Sequence, residues 1–152
     1  MKVLDFLELD SVQLDLQSPT KEEAIVELCR LLETKSKIKK SDAVITSLME
    51  RERLGSTGIG QGVAIPHGKS DSVDKLVAAL GVSKKGVNFE ALDGEPVHLI
   101  FLLVAPPDSS GTHLKALARI SRLLKDKFFR QALKEAKTRE EVQRIIQEED
   151  DY

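Results

Sequence analysis

The sequence predicts one α/β domain, a mixed parallel/antiparallel β-sheet flanked by helices on both faces. Three observations lead there. The chain is 152 residues long, the size of a single domain with its own core. Two apolar runs in its middle, Leu76–Val82 and Val97–Val104, read as strands. The second is apolar almost throughout, as in a strand covered on both faces. Amphipathic helix patterns stand before and after these runs, with no internal repeat and no linker.

The elements follow in order. Thr20-Lys-Glu-Glu23 has the spacing of a capping box, in which the Thr oxygen and the Glu carboxylate satisfy orphan amides. Behind it Ala24, Ile25, Leu28, Leu31 and Leu32 recur at helical spacing, which places an amphipathic helix over 20–34. Ser41 or Asp42 caps a second helix carrying Val44, Leu48 and Arg51 and ending near Gly55. A glycine-rich stretch then leads into the short strand-like run Val63–Pro66.

Between the two long strands, 91–96 is turn chemistry. From Thr112 the pattern is helical again, with Leu114, Leu117, Ala118, Ser121 and Leu124 as one inward stripe. Phe128, Phe129, Ala132 and Leu133 form another. Thr138-Arg-Glu-Glu141 is a second capping box and opens a helix with Val142, Ile145 and Ile146 inward. The acidic residues 148–152 read as a solvated, frayed end of the single domain 1–152.

Composition narrows the function classes. Lys and Arg number 23 against 25 Asp and Glu, for a net charge of −2. The nearest approach to a basic run is Lys37, Lys39 and Lys40, and the chain has no Trp, so no nucleic-acid surface is expected. Cys29 is the single cysteine, which rules out an internal disulfide and favours a reducing compartment. The longest apolar run, 99–107, falls short of the ~20 residues of a membrane span. Acids in the first eight residues argue against a signal peptide. The expectation is a cytoplasmic protein without membrane insertion.

The chemistry concentrates in Gly55-Ser-Thr-Gly-Ile-Gly-Gln-Gly-Val-Ala-Ile-Pro-His-Gly-Lys69. A nucleotide loop fails on spacing: Gly62 precedes Gly68-Lys-Ser70 by one residue too many, and Val63 breaks Gly-x-Gly-x-x-Gly. A metal site has little support, because His67, His98 and His113 are not paired at helical spacing and no Cys joins them. The third reading is a phosphoryl-accepting histidine. Neutral imidazole is a nucleophile at physiological pH. Glycines let backbone amides approach an anion, Ser56 and Thr57 add hydroxyl donors, and Pro66 stiffens the turn that presents His67. With Thr112 as cap, His113 falls in the first turn of its helix, where free amides and the helix dipole favour an anion.

The segment Arg51–Lys69 resembles the signature of enzyme IIA domains of the fructose/mannitol class, in the bacterial phosphoenolpyruvate-dependent phosphotransferase system. Thr112-His-Leu-Lys-Ala-Leu-Ala-Arg-Ile-Ser-Arg-Leu-Leu124 resembles that family's second histidine segment, so the likeness covers nearly the whole chain. The resemblance implies that family's fold and a cofactor-free phosphotransferase component. His67 would be the phosphorylated nucleophile, at Nε2, and His113 a supporting imidazole. Arg51 would stabilise the phosphoryl group, unless it pairs with Glu50 or Glu52. Ser56, Thr57 and Gly58 would line the phosphate site. The donor would be phospho-HPr or its nitrogen-branch counterpart. The glycine-rich segment is similar to the nitrogen-regulatory members, which implies a regulatory partner. The alternative is a sugar-transport IIA that passes the group to a cysteine of a separate enzyme IIB.

Overall fold

A computed structural model describes residues 1–151. Two 3-10 turns at Val3–Asp5 and Leu9–Ser11 precede β1 (Val12–Gln13), α1 (Lys21–Thr34) and α2 (Ser41–Arg53). Then come β2 (Gly58–Gly60), β3 (Val63–Ala64), β4 (His67–Lys69), β5 (Val77–Val87) and β6 (Val97–Ala105). The chain ends with α3 (Ser110–Leu123), α4 (Lys127–Glu135) and α5 (Arg139–Asp150).

The described residues form a six-stranded mixed sheet around an antiparallel β5–β6 pair. β1 lies parallel to β5 at one edge. At the other, β3 and β4 run end to end along β6, both parallel to it, and β2 pairs antiparallel with β3.

Alternation along β6 divides the core in two. Leu99, Phe101, Leu103 and Ala105 pack with Ala116, Ile120, Phe129, Leu133, Val142 and Ile146 of the three C-terminal helices. Ile100, Leu102 and Val104 pack with Ile25, Leu28, Leu32, Val44 and Leu48 of α1 and α2. Both faces are thus covered, and β6 is buried along its length apart from His98. At Gly81 a Cβ would come within 3.2–3.3 Å of Leu28 and Leu16, so the small residue lets α1 lie close to the sheet.

Helix starts follow local chemistry. Thr20 and Thr138 accept from the Glu23 and Glu141 amides at 3.4 and 3.1 Å. Asp126 caps α4 by accepting from the Phe128 and Phe129 amides at 2.8 and 3.3 Å. α2 is different. Ser41 is its first residue rather than its cap, and the Ser41 amide donates to the Glu33 carboxylate of α1 at 2.7 Å. A neighbouring helix supplies what local sequence was expected to supply.

Three sequence expectations change. The buried stripe of α3 is His113, Ala116, Ile120 and Leu123, while Leu114 is 66% exposed. The stripe is rotated because His113, counted as polar, belongs on it. Phe128 is 79% exposed while Phe129 is buried. The acidic end is not frayed through its length. α5 continues to Asp150, which is buried and bonded to the amide of Val3. Tyr152, the last residue of that predicted tail, lies outside the described residues.

Candidate active site around His67

The site begins with a break in an edge strand. β3 pairs Val63 and Ala64 with Leu99 and Ile100, and β4 pairs His67, Gly68 and Lys69 with Leu103, Val104 and Ala105. Between them, Pro66 gives its carbonyl to the Leu103 amide at 2.9 Å, so the chain stays on β6. Ile65 uses its backbone elsewhere. Its amide donates to the Thr57 carbonyl at 3.0 Å, and its carbonyl lies 2.7 Å from His67 Nδ1.

That last contact fixes the chemistry of the imidazole. A carbonyl only accepts, so Nδ1 carries the proton and Nε2 carries the lone pair. The half-buried ring is therefore anchored through Nδ1.

Alternation in β4 directs the rest. Gly68 faces α2, where a Cβ would lie 2.8 Å from Ser47 Oγ, and that hydroxyl donates to the Lys69 carbonyl at 2.7 Å. His67 and Lys69 lie on the other face, toward α3. The His67 and His113 rings meet edge to face with centroids 5.5 Å apart, and Lys69 Nζ donates to Ser110 Oγ at the start of α3.

α3 starts at Ser110, three residues earlier than a Thr112 cap implies. Ser109, at its N-cap position, turns its hydroxyl to the Pro106 carbonyl and caps no amide. The first-turn amides therefore have no side-chain cap beside the two imidazoles.

His113 Nε2 is buried with no hydrogen-bond partner among the described residues. Burial first, then the neighbouring His67 and Lys69 charges, hold the His113 imidazole below its ordinary pKa. The neutral form is thus the folded one. This contribution to stability is fully present above about pH 6.5, the ordinary value, and is lost as the pH falls through the depressed one. A dianionic phosphoryl group on His67 should reverse the bias and raise the His113 pKa, because a nearby negative charge favours the imidazolium. Proton NMR titration of the His113 ring with and without phosphorylation reads this directly. An unchanged midpoint would mean that the group does not sit beside His113.

The remaining expected site residues are placed as follows. Arg51, on the last turn of α2, donates from Nη1 to the Gly55 carbonyl at 3.0 Å. It does not pair with Glu52, whose carboxylate lies 3.3 Å from Lys21 Nζ. Ser56 and Thr57 adjoin the His67 turn, but their hydroxyls are committed. Ser56 Oγ donates to the Phe89 carbonyl at 3.2 Å and Thr57 Oγ1 to Glu52, so neither points a free donor at a phosphate. Gly58 is a strand residue whose Cβ would strike Ala91 at 2.9 Å.

Gly60 and Gly62 have φ of +98° and +78° and form the β2–β3 turn. That turn lies by Leu99, about 13 Å along β6 from Leu103 and His67. These glycines build a hairpin and do not open the approach to His67.

Sequence reasoning missed Lys69 as a site residue. Strand alternation held the signal, because Lys69 stands two residues from His67 in β4. It also missed Glu52 and Lys21, whose helical neighbours gave no hint of burial.

Residues 5–149 match the family described as the phosphoenolpyruvate-dependent sugar phosphotransferase system, EIIA 2. The chain belongs to the EIIA 2 family. Relatives of this EIIA 2 chain carry two kinds of name. It is 39% identical over 99% of its length to a fructose-specific EIIABC component of Bacillus subtilis, of which it spans 24%. It is 35% identical to a fructose-specific EIIA component of Haloferax volcanii, over 92% of this chain and 91% of that one. Among solved structures, the nitrogen regulatory protein IIA-Ntr of Neisseria meningitidis superposes with a TM-score of 0.86 at 37% identity, covering 93% of this chain and 97% of that one. The EIIA 2 fold is the mixed single-domain sheet that the sequence predicted, and the family is one of phosphotransferase components.

Proposed function

We propose that His67 carries the phosphoryl group, on Nε2. One observation carries the reading: the Ile65 carbonyl holds Nδ1–H at 2.7 Å, so Nε2 is the free nucleophile beside His113. The donor is a phosphohistidine on a small carrier protein, HPr or its nitrogen-branch counterpart. The lone pair on Nε2 attacks phosphorus in line while the donor's P–N bond breaks, and its electron pair returns to the donor imidazole. No proton moves at Nδ1, and the Ile65 carbonyl stabilises the positive charge that develops on the ring.

Charge in such transfers spreads over three equatorial oxygens, so catalysis is mostly placement and donors. His113 Nε2–H, the uncapped amides of α3 and Lys69 supply them. Arg51 reaches the group if it releases the Gly55 carbonyl. No cofactor takes part, and the setting is the cytoplasm.

The acceptor is read as a regulatory partner of the nitrogen branch, because the glycine-rich segment is similar to nitrogen-regulatory members and IIA-Ntr is matched over nearly its whole length. The fructose-specific relatives favour a second reading, transfer to a cysteine of a separate enzyme IIB.

Incubation with phosphoenolpyruvate, enzyme I and HPr, followed by phosphorus and imidazole-nitrogen NMR, tests the site. The expected product is a single phosphohistidine substituted at Nε2 of residue 67. Phosphate on Nδ1, or on another residue, would refute the reading.

A further inference from the structure

Three polar groups are buried behind the site, and the transfer step described above uses none of them. Glu52 is 6% exposed and Lys21 8%, with Lys21 Nζ 3.3 Å from Glu52 Oε2 and 5.2 Å from the Phe89 ring centroid. Thr57, 4% exposed, gives both its amide and its hydroxyl to the same carboxylate, the amide at 3.0 Å. A buried ion pair contributes little net stability compared with apolar residues of the same size, so stability alone does not account for it.

What the carboxylate holds does account for it. The Thr57 carbonyl accepts the Ile65 amide at 3.0 Å, and the Ile65 carbonyl accepts His67 Nδ1–H at 2.7 Å. The contacts form one relay, from the first residue of α1 through the end of α2 and the edge of the sheet to the imidazole. The adjoining segment is pinned on its other side as well, by Ser56 Oγ on the Phe89 carbonyl at 3.2 Å.

We propose that Glu52, clamped by Lys21, is a positioning residue. Through Thr57 and Ile65 it holds the His67 ring in its Nδ1–H tautomer and in its orientation. Ala64 and Pro66 are held on β6, but Ile65 itself has no regular strand pairing, and its amide is held by the Thr57 carbonyl, so the seating of residues 56–57 bears directly on where its carbonyl stands. Loosening that seating frees the ring to rotate and to protonate Nε2, which removes the lone pair. The role in transfer rests on His67 being the phosphoryl carrier; the effect on the tautomer does not.

The test compares four full-length chains: the native protein, Glu52→Gln, Thr57→Val and Thr57→Ser. Long-range proton–nitrogen spectra of the imidazoles report the His67 tautomer without any transfer reaction. The native chain and Thr57→Ser are expected to show Nδ1–H alone, while Glu52→Gln and Thr57→Val show a mixture. With phospho-HPr as donor, the same two variants should lose about tenfold or more in maximal transfer rate, with the KM for the donor little changed. Native-like amide spectra establish that a variant is folded. A folded Thr57→Val chain with an unaltered His67 tautomer overturns the proposal. If Glu52→Gln does not fold, the Thr57 pair still decides, because it leaves the Lys21–Glu52 contact in place. A shifted tautomer in a chain phosphorylated elsewhere than His67 upholds the positioning role and refutes the functional reading.

Discussion

Replacing His67 with alanine is expected to abolish phosphoryl acceptance, with no residual label above background. Among the described residues no other nucleophile is placed to substitute. His98 stands five residues before Leu103 on β6, about 16 Å along the strand from the pairing position of His67, and its Nδ1 is engaged by the Ser83 carbonyl at 2.8 Å. Cys29 is fully buried among α1 and α2 side chains, and burial pushes its thiol up to about 12, so it presents no thiolate. His113 is the nearest imidazole, but its Nε2 is buried out of reach of an incoming protein. Alanine at position 113 should instead slow transfer, on the order of 10²-fold, the usual loss for one preorganised donor. Labelling from phosphoenolpyruvate through enzyme I and HPr separates the two outcomes. Undiminished labelling of the His67→Ala chain would end the phosphohistidine assignment.

The two histidines show what sequence conveys about such a site. His67 is legible because its neighbours are unusual: Pro66 and Gly68 flank it, and neither suits an ordinary strand interior. The structure gives each a reason, since Pro66 has no amide to satisfy and Gly68 makes room for Ser47. His113 is legible only as a first-turn residue. Its burial was hidden because the α3 stripe was traced through Leu114, Leu117 and Leu124, which turned it out of phase with His113, Ala116, Ile120 and Leu123.

Long-range pairing explains the other gaps. β6 declared itself through a run that is apolar apart from His98, and α1 and α5 through local capping residues. The Glu33 carboxylate that serves α2 reaches it across an interhelix turn, and the Lys21–Glu52 pair joins residues 31 apart, so no capping or periodicity pattern marks either. The glycines illustrate the converse. Four of them ahead of a histidine suggested an anion loop, yet β2, β3 and a tight turn need small residues and positive φ for reasons of chain geometry alone. Proximity in sequence was mistaken for proximity in the sheet.

Asp150 offers the sharpest contrast between composition and structure. As part of an acidic end it should be dispensable, and its replacement should fall within about 0.5 kcal/mol of neutral. In the fold its side chain is 2% exposed and accepts the Val3 amide at 2.6 Å and Arg119 Nε at 2.6 Å. Its carbonyl takes Lys2 Nζ and Arg119 Nη2, each at 2.8 Å. The residue therefore ties the N-terminal turn, α3 and the last turn of α5 together.

Asp150→Ala leaves the Val3 amide without its acceptor and takes the carboxylate from the Arg119 guanidinium, which keeps only the residue 150 carbonyl and is 23% exposed in its side chain. The expected cost is about 3 kcal/mol, the lower end for breaking a buried pair because Arg119 keeps some access to water. For a chain of this size that lowers the melting temperature by about 6–12 °C. Combining it with Arg119→Ala should cost less than the two single changes added together, because the second removes the charge that the first stranded. Thermal unfolding of the three variants measures all of these quantities. A neutral Asp150→Ala would return the acidic end to the frayed state that its composition suggests. A large effect, with phosphoryl acceptance intact well below the melting range, would place Asp150 in the framework that carries His113 rather than in the chemistry.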